Sequence, residues 1–290
     1  MSKANLKRIL EHRLQEDGLY DTGIPGVQIF RYTAPRQCSP AVYVPTIIAI
    51  VSGSKEAILD GQSYIYDCEQ YMCCTMTMPV EAGIAYATSD TPLLGVSISI
   101  DTKLMSEITF EINQITEAIE TSDSEKHTHG ITLSSWDESF ENALFRLIQL
   151  ETDSVAASVL GFSRLREVYY AVLTGAAGNS VRHTFGSDND INRAIRYLSS
   201  NLSAPTSIDD IRIRVGMSRS VFHRKFKQAT MMSPIQFLKA MRLNHAAMLI
   251  TKGQNVNEAA TEVGYRSSSQ FSREFKRMFG SSPKQWSLKQ

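Results

Sequence analysis

The chain has 290 residues, 42% of them hydrophobic and 21% charged, which suits two ordinary globular domains and excludes a disordered or fibrous protein. The formal net charge of zero conceals an asymmetry: residues 1–186 hold 13 Lys/Arg against 23 Asp/Glu, and residues 187–290 hold 17 against 7. An acidic portion joined to a basic one fits a sensor tethered to a module that binds a polyanion. No apolar run approaches the ~20 residues of a membrane span, and the N-terminus lacks a signal-peptide core, so a cytoplasmic protein with no membrane partner is expected.

Residues 2–16 place Leu6, Ile9, Leu10 and Leu14 at helical spacing, which predicts a short amphipathic helix. From about Gly26 to Ile100 the pattern is strand-like. Ile47–Val51, Glu56–Leu59, Ser63–Tyr66, Tyr71–Met78 and Leu94–Ile100 are rich in β-branched, aromatic or sulfur residues and are punctuated by Gly and Pro. Asp60-Gly61 reads as a hairpin turn. Many short strands of this kind predict a small β-barrel or sandwich.

Within that region Cys68, Cys73 and Cys74 invite attention. Alternation along Tyr71–Met78 puts Met72, Cys74, Met76 and Met78 on one face and Cys73 on the other. Two readings stand: a thiol that senses oxidants or electrophiles (or a soft-metal site), and plain core packing by residues that pack readily. Tyr64 and Tyr66 lie nearby and offer aromatic groups with polar tips suited to a small organic effector. Five tyrosines, these two with Tyr43, Tyr71 and Tyr86, serve such a cavity or a packed core equally well. No histidine occurs between Arg13 and Lys126, so a His-ligated metal inside the strand region is not expected, and no cofactor is. His127 and His129 sit in a polar stretch that reads as a solvated loop.

From Asp101 the period becomes helical: Leu104–Glu120, Ser139–Leu150 and Leu160–Leu173, the last ending at Gly175. A polar, Gly-containing stretch from Gly178 to Asp190 marks a boundary. The expected organisation is a first domain over residues 1–180, a linker over 181–188 and a second domain over 189–290, which the resemblance drawn below makes a sensor/dimerisation domain and a DNA-binding domain.

The last segment contains an internal repeat offset by 48 to 49 residues. Gly216-Met217-Ser218 returns as Gly264-Tyr265-Arg266-Ser267, Phe222 and Phe226 return as Phe271 and Phe275, and Ser233-Pro234 returns as Ser282-Pro283. Each copy spells helix, Gly turn, capped helix, then Ser-Pro. Ser207 with Asp210 and Asn255 with Glu258 resemble capping boxes for the first helix of each pair. With the phenylalanines turned inward, the second helices expose Ser220, His223, Arg224 and Lys227 in one copy. In the other they expose Ser268, Ser269, Ser272, Arg273 and Lys276. Such faces fit a major groove, where Arg grips guanine and hydroxyls reach base edges or phosphates. The helix opened by Ser233-Pro234 would be ~27 Å long, enough to hold two readers roughly one duplex turn (~34 Å) apart.

These residues carry a resemblance. "GMSRSVFHRKFKQATMMSPIQFLKAMRLNHAAMLI" followed by "VNEAATEVGYRSSSQFSREFKRMFGSSPKQW" resembles the DNA-binding domain of the AraC/XylS family of transcription regulators over about Asn189–Trp286. Upstream, "VPTIIAIVSGSKEAILDGQSYIYD" and "REVYYAVLTGAAG" are similar to the sensor domain of one subgroup of that family. The resemblance implies an α+β chain: an N-terminal cupin-like β-barrel with a helical hairpin, then an all-α domain of two helix-turn-helix units joined by a long linker helix. It places the base-facing positions on Ser220, His223 and Arg224, and on Ser268, Ser269, Ser272 and Arg273. It implies double-stranded promoter DNA and RNA polymerase as partners, activation of transcription, a small-molecule effector and often a homodimer, for which the helices between Ser139 and Leu173 are the candidate surface. One departure stands out: the family usually has a small residue in the first helix of each unit, and Ala260 conforms where Arg212 does not. A buried Arg212 would have to snorkel or find a partner. Two rivals remain, a ligand-independent DNA-binding protein and an enzyme fused to a DNA-binding module; a non-enzymatic regulator is the expectation.

Overall fold

In the computed structural model the described residues are 2–116, 130–186, 190–204 and 207–288. His127 and His129, and the end of the helix expected to reach Glu120, lie outside them. Helix α1 (Ser2–Arg13) is followed by nine strands: β1 (Gly18–Asp21), β2 (Val27–Tyr32), β3 (Arg36–Tyr43), β4 (Thr46–Ser52), β5 (Ser54–Leu59), β6 (Gln62–Tyr66), β7 (Gln70–Cys74), β8 (Met78–Tyr86) and β9 (Leu93–Ser99). Helix α2 (Thr102–Thr116) and strand β10 (Ile131–Ser135) lead into α3 (Glu138–Ile148), α4 (Ser154–Thr174) and α5 (Gly178–Phe185).

The strands form two antiparallel sheets, ordered β1-β2-β9-β4-β7-β10 and β3-β8-β5-β6. The cupin-like architecture is present as a sandwich of two sheets rather than one closed ring. Alternation decides the layering. Ile47, Ala49 and Val51 of β4 face the helical layer of α1, α3 and α4, together with Leu6, Leu10, Phe140 and Val172. Ile48 and Ile50 face the other sheet, together with Ala57, Leu59, Tyr66 and Val80. The run Tyr71–Met78, expected as a single strand, breaks after Cys74 and resumes as β8 at Met78. The face assignment nevertheless holds: Cys73 joins the helix-side core, while Met72, Cys74, Met76 and Met78 join the inter-sheet core.

The expected linker is in large part not one. Helix α5 continues through residues 181–185, and Val181 and Phe185 are buried in the sensor core. The polar composition of this stretch belongs to its outer face. Helices α6 (Asp190–Ser200), α7 (Ile208–Arg214), α8 (Arg219–Thr230), α9 (Pro234–Thr251), α10 (Val256–Glu262), α11 (Ser268–Phe279) and α12 (Pro283–Ser287) complete the chain. The core of α6–α8 and the first half of α9 is continuous with the inter-sheet core of the sensor. The second unit has its own core, built on Leu243, Ala247, Ala260, Phe271 and Phe275.

Candidate nucleic-acid interface

The pairs α7–α8 and α10–α11 are built alike. In the first, the Met217 amide donates to the Arg212 carbonyl (2.9 Å) and Gly216 to Ile213 (2.9 Å). In the second, Tyr265 donates to Ala260 (2.9 Å) and Gly264 to Thr261 (3.0 Å). Gly216 and Gly264 both sit at positive φ, +68° and +89°, where a Cβ would be strained. Phe222, Phe226, Phe271 and Phe275 are fully buried, which fixes the rotation of α8 and α11 about their axes. The Ser-Pro motifs do the same work twice. Ser233 with Gln236, and Ser282 with Gln285, each form a complete capping box at the start of α9 and α12.

The caps of α8 and α11 differ. The Ser267 hydroxyl accepts from the Gln270 amide, as expected. Ser218 occupies the equivalent position without a side-chain cap bond, and its hydroxyl lies 3.4 Å from that of Ser220. Ser207 and Asn255 each accept from the amide two residues on instead of forming the boxes their spacing suggested.

With the phenylalanines inward, the predicted reading faces point outward. Ser220, Arg224 and Lys227 are exposed and His223 is half-buried, and Ser268, Ser269, Arg273 and Lys276 are exposed with Ser272 half-buried. Arg224, Lys227, Arg273 and Lys276 make no ion pair among the described residues. Four cations therefore stay uncommitted on two parallel versions of the same surface. Helical spacing overlooked Arg219 and Arg266, both exposed beside the helix caps; their place next to Ser218 and Ser267 was the available signal. Arg212 is half-buried, not fully buried, and its Nε donates to Asp209 Oδ1 at 2.6 Å. That bond holds the Asp209 carboxyl below its ordinary range. The first unit thus accepts an Arg where the second buries Ala260 at 3% exposure.

A protein-family model described as the N-terminus of AraC-type transcriptional regulators matches residues 23–180, more than half of the chain, and a helix-turn-helix domain model matches residues 213–289. The chain belongs to the AraC-type transcriptional regulators. Among curated members of this family it is 30% identical over 141 residues to the raffinose operon transcriptional regulatory protein RafR of Pediococcus pentosaceus, covering 48% of this chain and 50% of RafR. It is 30% identical over 101 residues to the transcriptional activator RhaR of Escherichia coli K12, covering 34% of this chain and 36% of RhaR. The match thus spans half or less of these relatives. Among solved structures, ToxT of Vibrio cholerae with a bound unsaturated fatty acid superposes with a TM-score of 0.54 at 12% identity, covering 95% of this chain and 97% of ToxT. That likeness concerns the fold.

In this AraC-type N-terminal domain all four thiols are shifted away from the thiolate form. Burial pushes Cys74 up to about 12 and Cys73 further up, and burial with the Glu56 carboxylate pushes Cys38 up to about 11. Cys68, half-buried, is also raised, by desolvation and by Asp67 and Glu69. Cys73 and Cys74 are adjacent in sequence but belong to different cores, so the three candidate cysteines are not brought together. Tyr66 is fully buried with its hydroxyl beside that of Tyr43, while Tyr64 is half-buried beside Ala57 on the same face. A separate cavity of about 400 Å³ lies between α2, α5 and α6, lined by Thr109, Asn113, Asn192 and Arg196 among others.

Proposed function

We propose that this chain is a cytoplasmic, sequence-specific transcription regulator that reads promoter DNA through α8 and α11. The observation that carries this reading is the paired arrangement of Arg224 with Lys227 and Arg273 with Lys276, all exposed and without an ion pair among the described residues, on like-built helices in the basic segment. Arg224, Arg273, His223 and the serines Ser220, Ser268, Ser269 and Ser272 read base edges, while Lys227 and Lys276 contact phosphates. Arg219 and Arg266, at the starts of these helices, add phosphate contacts.

The protein acts as an activator through RNA polymerase, under control of a small effector held by the sensor domain. RafR, named for a raffinose operon, and ToxT, solved with a fatty acid, support effector control without fixing its chemistry, and RhaR, named as an activator, supports activation. It has no enzymatic activity of its own. A homodimer forms through α4, whose Val155, Val159 and Phe162 are exposed along one stripe with Tyr170 further on. The test is selection of genomic fragments by the full-length protein at near-physiological salt. A recurrent non-palindromic motif upstream of a few operons is the expected result, and enrichment no better than for random DNA would reject the reading.

A further inference from the structure

The first unit shares its core with the sensor, whereas the second has its own, built on the far half of α9. A polar cluster bridges the two units. Lys239 and Arg242 lie three residues apart on α9, on neighbouring turns of one face. The half-buried Arg242 spans the end of α6: its Nε donates to the Leu202 carbonyl at 2.8 Å and its Nη2 to the Ala204 carbonyl at 3.1 Å. The Gly264 turn of the second unit closes on the same Leu202 carbonyl, with no room there for a Cβ. The end of α6, α9 and the second turn therefore meet at one oxygen.

Lys239 ties α9 to the second reader. Its Nζ donates to Glu274 Oε1 at 3.2 Å. That carboxylate also accepts from Gln270 Nε2 at 3.1 Å and from the hydroxyl of the buried Tyr265 at 2.7 Å. Desolvation raises the Glu274 carboxyl, but the bonds from Tyr265, Gln270 and Lys239 outweigh it and hold the group below its ordinary range. Glu274 is the immediate neighbour of Arg273, so the bonds that hold it also hold the outward face of α11.

The repeat supplies an internal control. In the first unit the places of Tyr265, Gln270 and Glu274 are taken by Met217, Val221 and Lys225, which can form no such cluster. A Cβ at Gly216 would meet nothing within 4 Å. A helix-turn-helix therefore folds without these groups. Stability does not explain them either, because a pair whose lysine is as exposed as Lys239 adds little. What the cluster does supply is fixed geometry between α6, α9 and α11.

We propose that Arg242, Lys239 and Glu274 are positioning residues that set the resting angle and separation of α11 against α8, and so the half-site spacing this regulator accepts. Arg242 holds α9 to the end of α6, and Lys239 with Glu274 holds α11 to α9, through charge-assisted hydrogen bonds. The readers then meet the duplex as one template rather than as two modules on a loose tether. A base pair inserted between the half-sites puts one reader out of register. The inference rests on the reading that α8 and α11 both contact DNA.

Affinity of the full-length protein for a selected fragment tests this, beside the same fragment with one base pair inserted between the half-sites and with either half-site scrambled. The parent should lose about tenfold or more on the insertion, as rigidly linked modules do when the span no longer matches. Glu274→Ala, Arg242→Met and Lys239→Met should each narrow that loss to about threefold or less, with affinity for the scrambled fragments within about twofold of the parent. Glu274→Gln keeps an acceptor in the same outline and should restore most of the discrimination. Lys239 is exposed enough to be truncated without loss of fold, so Lys239→Met decides the matter if the other two variants unfold. Discrimination unchanged in Lys239→Met, or affinity for scrambled and intact fragments falling in step, would overturn the proposal. A parent that selects no DNA rejects the regulatory reading instead, and the clamp is then measured without DNA. Spin labels at Lys225→Cys and Arg277→Cys, in a Cys38→Ser, Cys68→Ser background, report the separation of α8 and α11. Its distribution should broaden in Glu274→Ala, and one no wider than the parent's would overturn the clamp.

Discussion

The backbone amide of Gly130, in the sensor domain, donates to the carbonyl of Ala229 in the last turn of the first reading helix, at 2.8 Å. The next amide contact is also tied to the sensor, because the Gly130 carbonyl accepts from Thr75 at 2.9 Å. The end of α8 is therefore held by Gly130, the residue before β10, and its orientation depends on the sandwich. The second unit has no such backbone bond to the N-terminal domain among the described residues: its core is separate, and α9, which leads into it, packs across β3 and β8. An effector that shifts these strands would move the first reader relative to the second, provided it binds the two arrangements unequally.

Asn244 of α9 lies on the same boundary. It is 1% exposed, its Nδ2 donates to the Val80 carbonyl at a long 3.5 Å, and its Oδ1 has no partner among the described residues. Leucine has the same branched outline and removes an unsatisfied acceptor, so Asn244→Leu should leave stability unchanged or raise it by about 1 kcal/mol where its larger methyl groups fit. Asn244→Asp puts a carboxylate in the same place and should cost more than about 2 kcal/mol. Chemical denaturation of the full chain followed by circular dichroism gives both values. Equal, small effects would mean that the boundary is wet.

Gly264 and Gly216 look interchangeable in the repeat but should not behave so. An added Cβ at Gly216 meets nothing within 4 Å, whereas at Gly264 it would meet the Leu202 carbonyl oxygen at 2.8 Å and Ser203 Cα at 2.9 Å. Gly216→Ala should carry only the left-handed penalty, about 1 kcal/mol, and Gly264→Ala roughly twice that or more, because backbone must move. Thermal unfolding of the two variants ranks them. A larger loss at Gly216 would contradict the packing of the second turn against the end of α6.

Much of this was legible in the sequence because the relevant rules are local. The Gly turns, the Ser-Pro caps and the phenylalanine spacing fix which faces of α8 and α11 point outward without any tertiary contact, and even the split of Cys73 from Cys74 follows from strand alternation. What was illegible depends on partners far along the chain. Lys55 shares its strand face with Ala57 and Leu59, which marks it as inward, but its juxtaposition with Arg36 and Phe30 exists only in the paired sheets. The extension of α5 into the expected linker had the same origin: Val181 and Phe185 are buried against the sensor core, and polar neighbours masked them.

The reading faces make a sharp distinction between their cations. Arg224→Ala and Arg273→Ala should each cost about 1–3 kcal/mol on a selected fragment and relax preference at one or two positions. Lys227→Ala and Lys276→Ala should weaken selected and random DNA alike and reduce the salt slope by about one contact each. Titrations at two salt concentrations on both kinds of DNA separate the classes. Arginine losses equal on selected and random DNA would place the reading face elsewhere on α8 and α11.

The unpaired Lys55 ammonium also leaves a signature in stability against pH. Its pKa is pushed down to about 8 in the folded chain, by burial first and by Arg36 second, from an ordinary 10.5. Between those values the unfolded chain binds more protons than the folded one, so raising the pH stabilises the fold there. Below about 8 the lysine is charged in both states and its desolvation cost is fully present. Lys55→Met lacks this titration. The difference in unfolding free energy between parent and variant should therefore favour the variant at pH 7 and shrink as the pH rises toward 10. Tyrosines such as Tyr66 and Tyr43 titrate upward of this range and are common to both proteins, so they largely cancel in the difference. Denaturation midpoints for the pair at pH 7, 8.5 and 10 test the point. A gap that stays constant across the series would mean that Lys55 is fully hydrated.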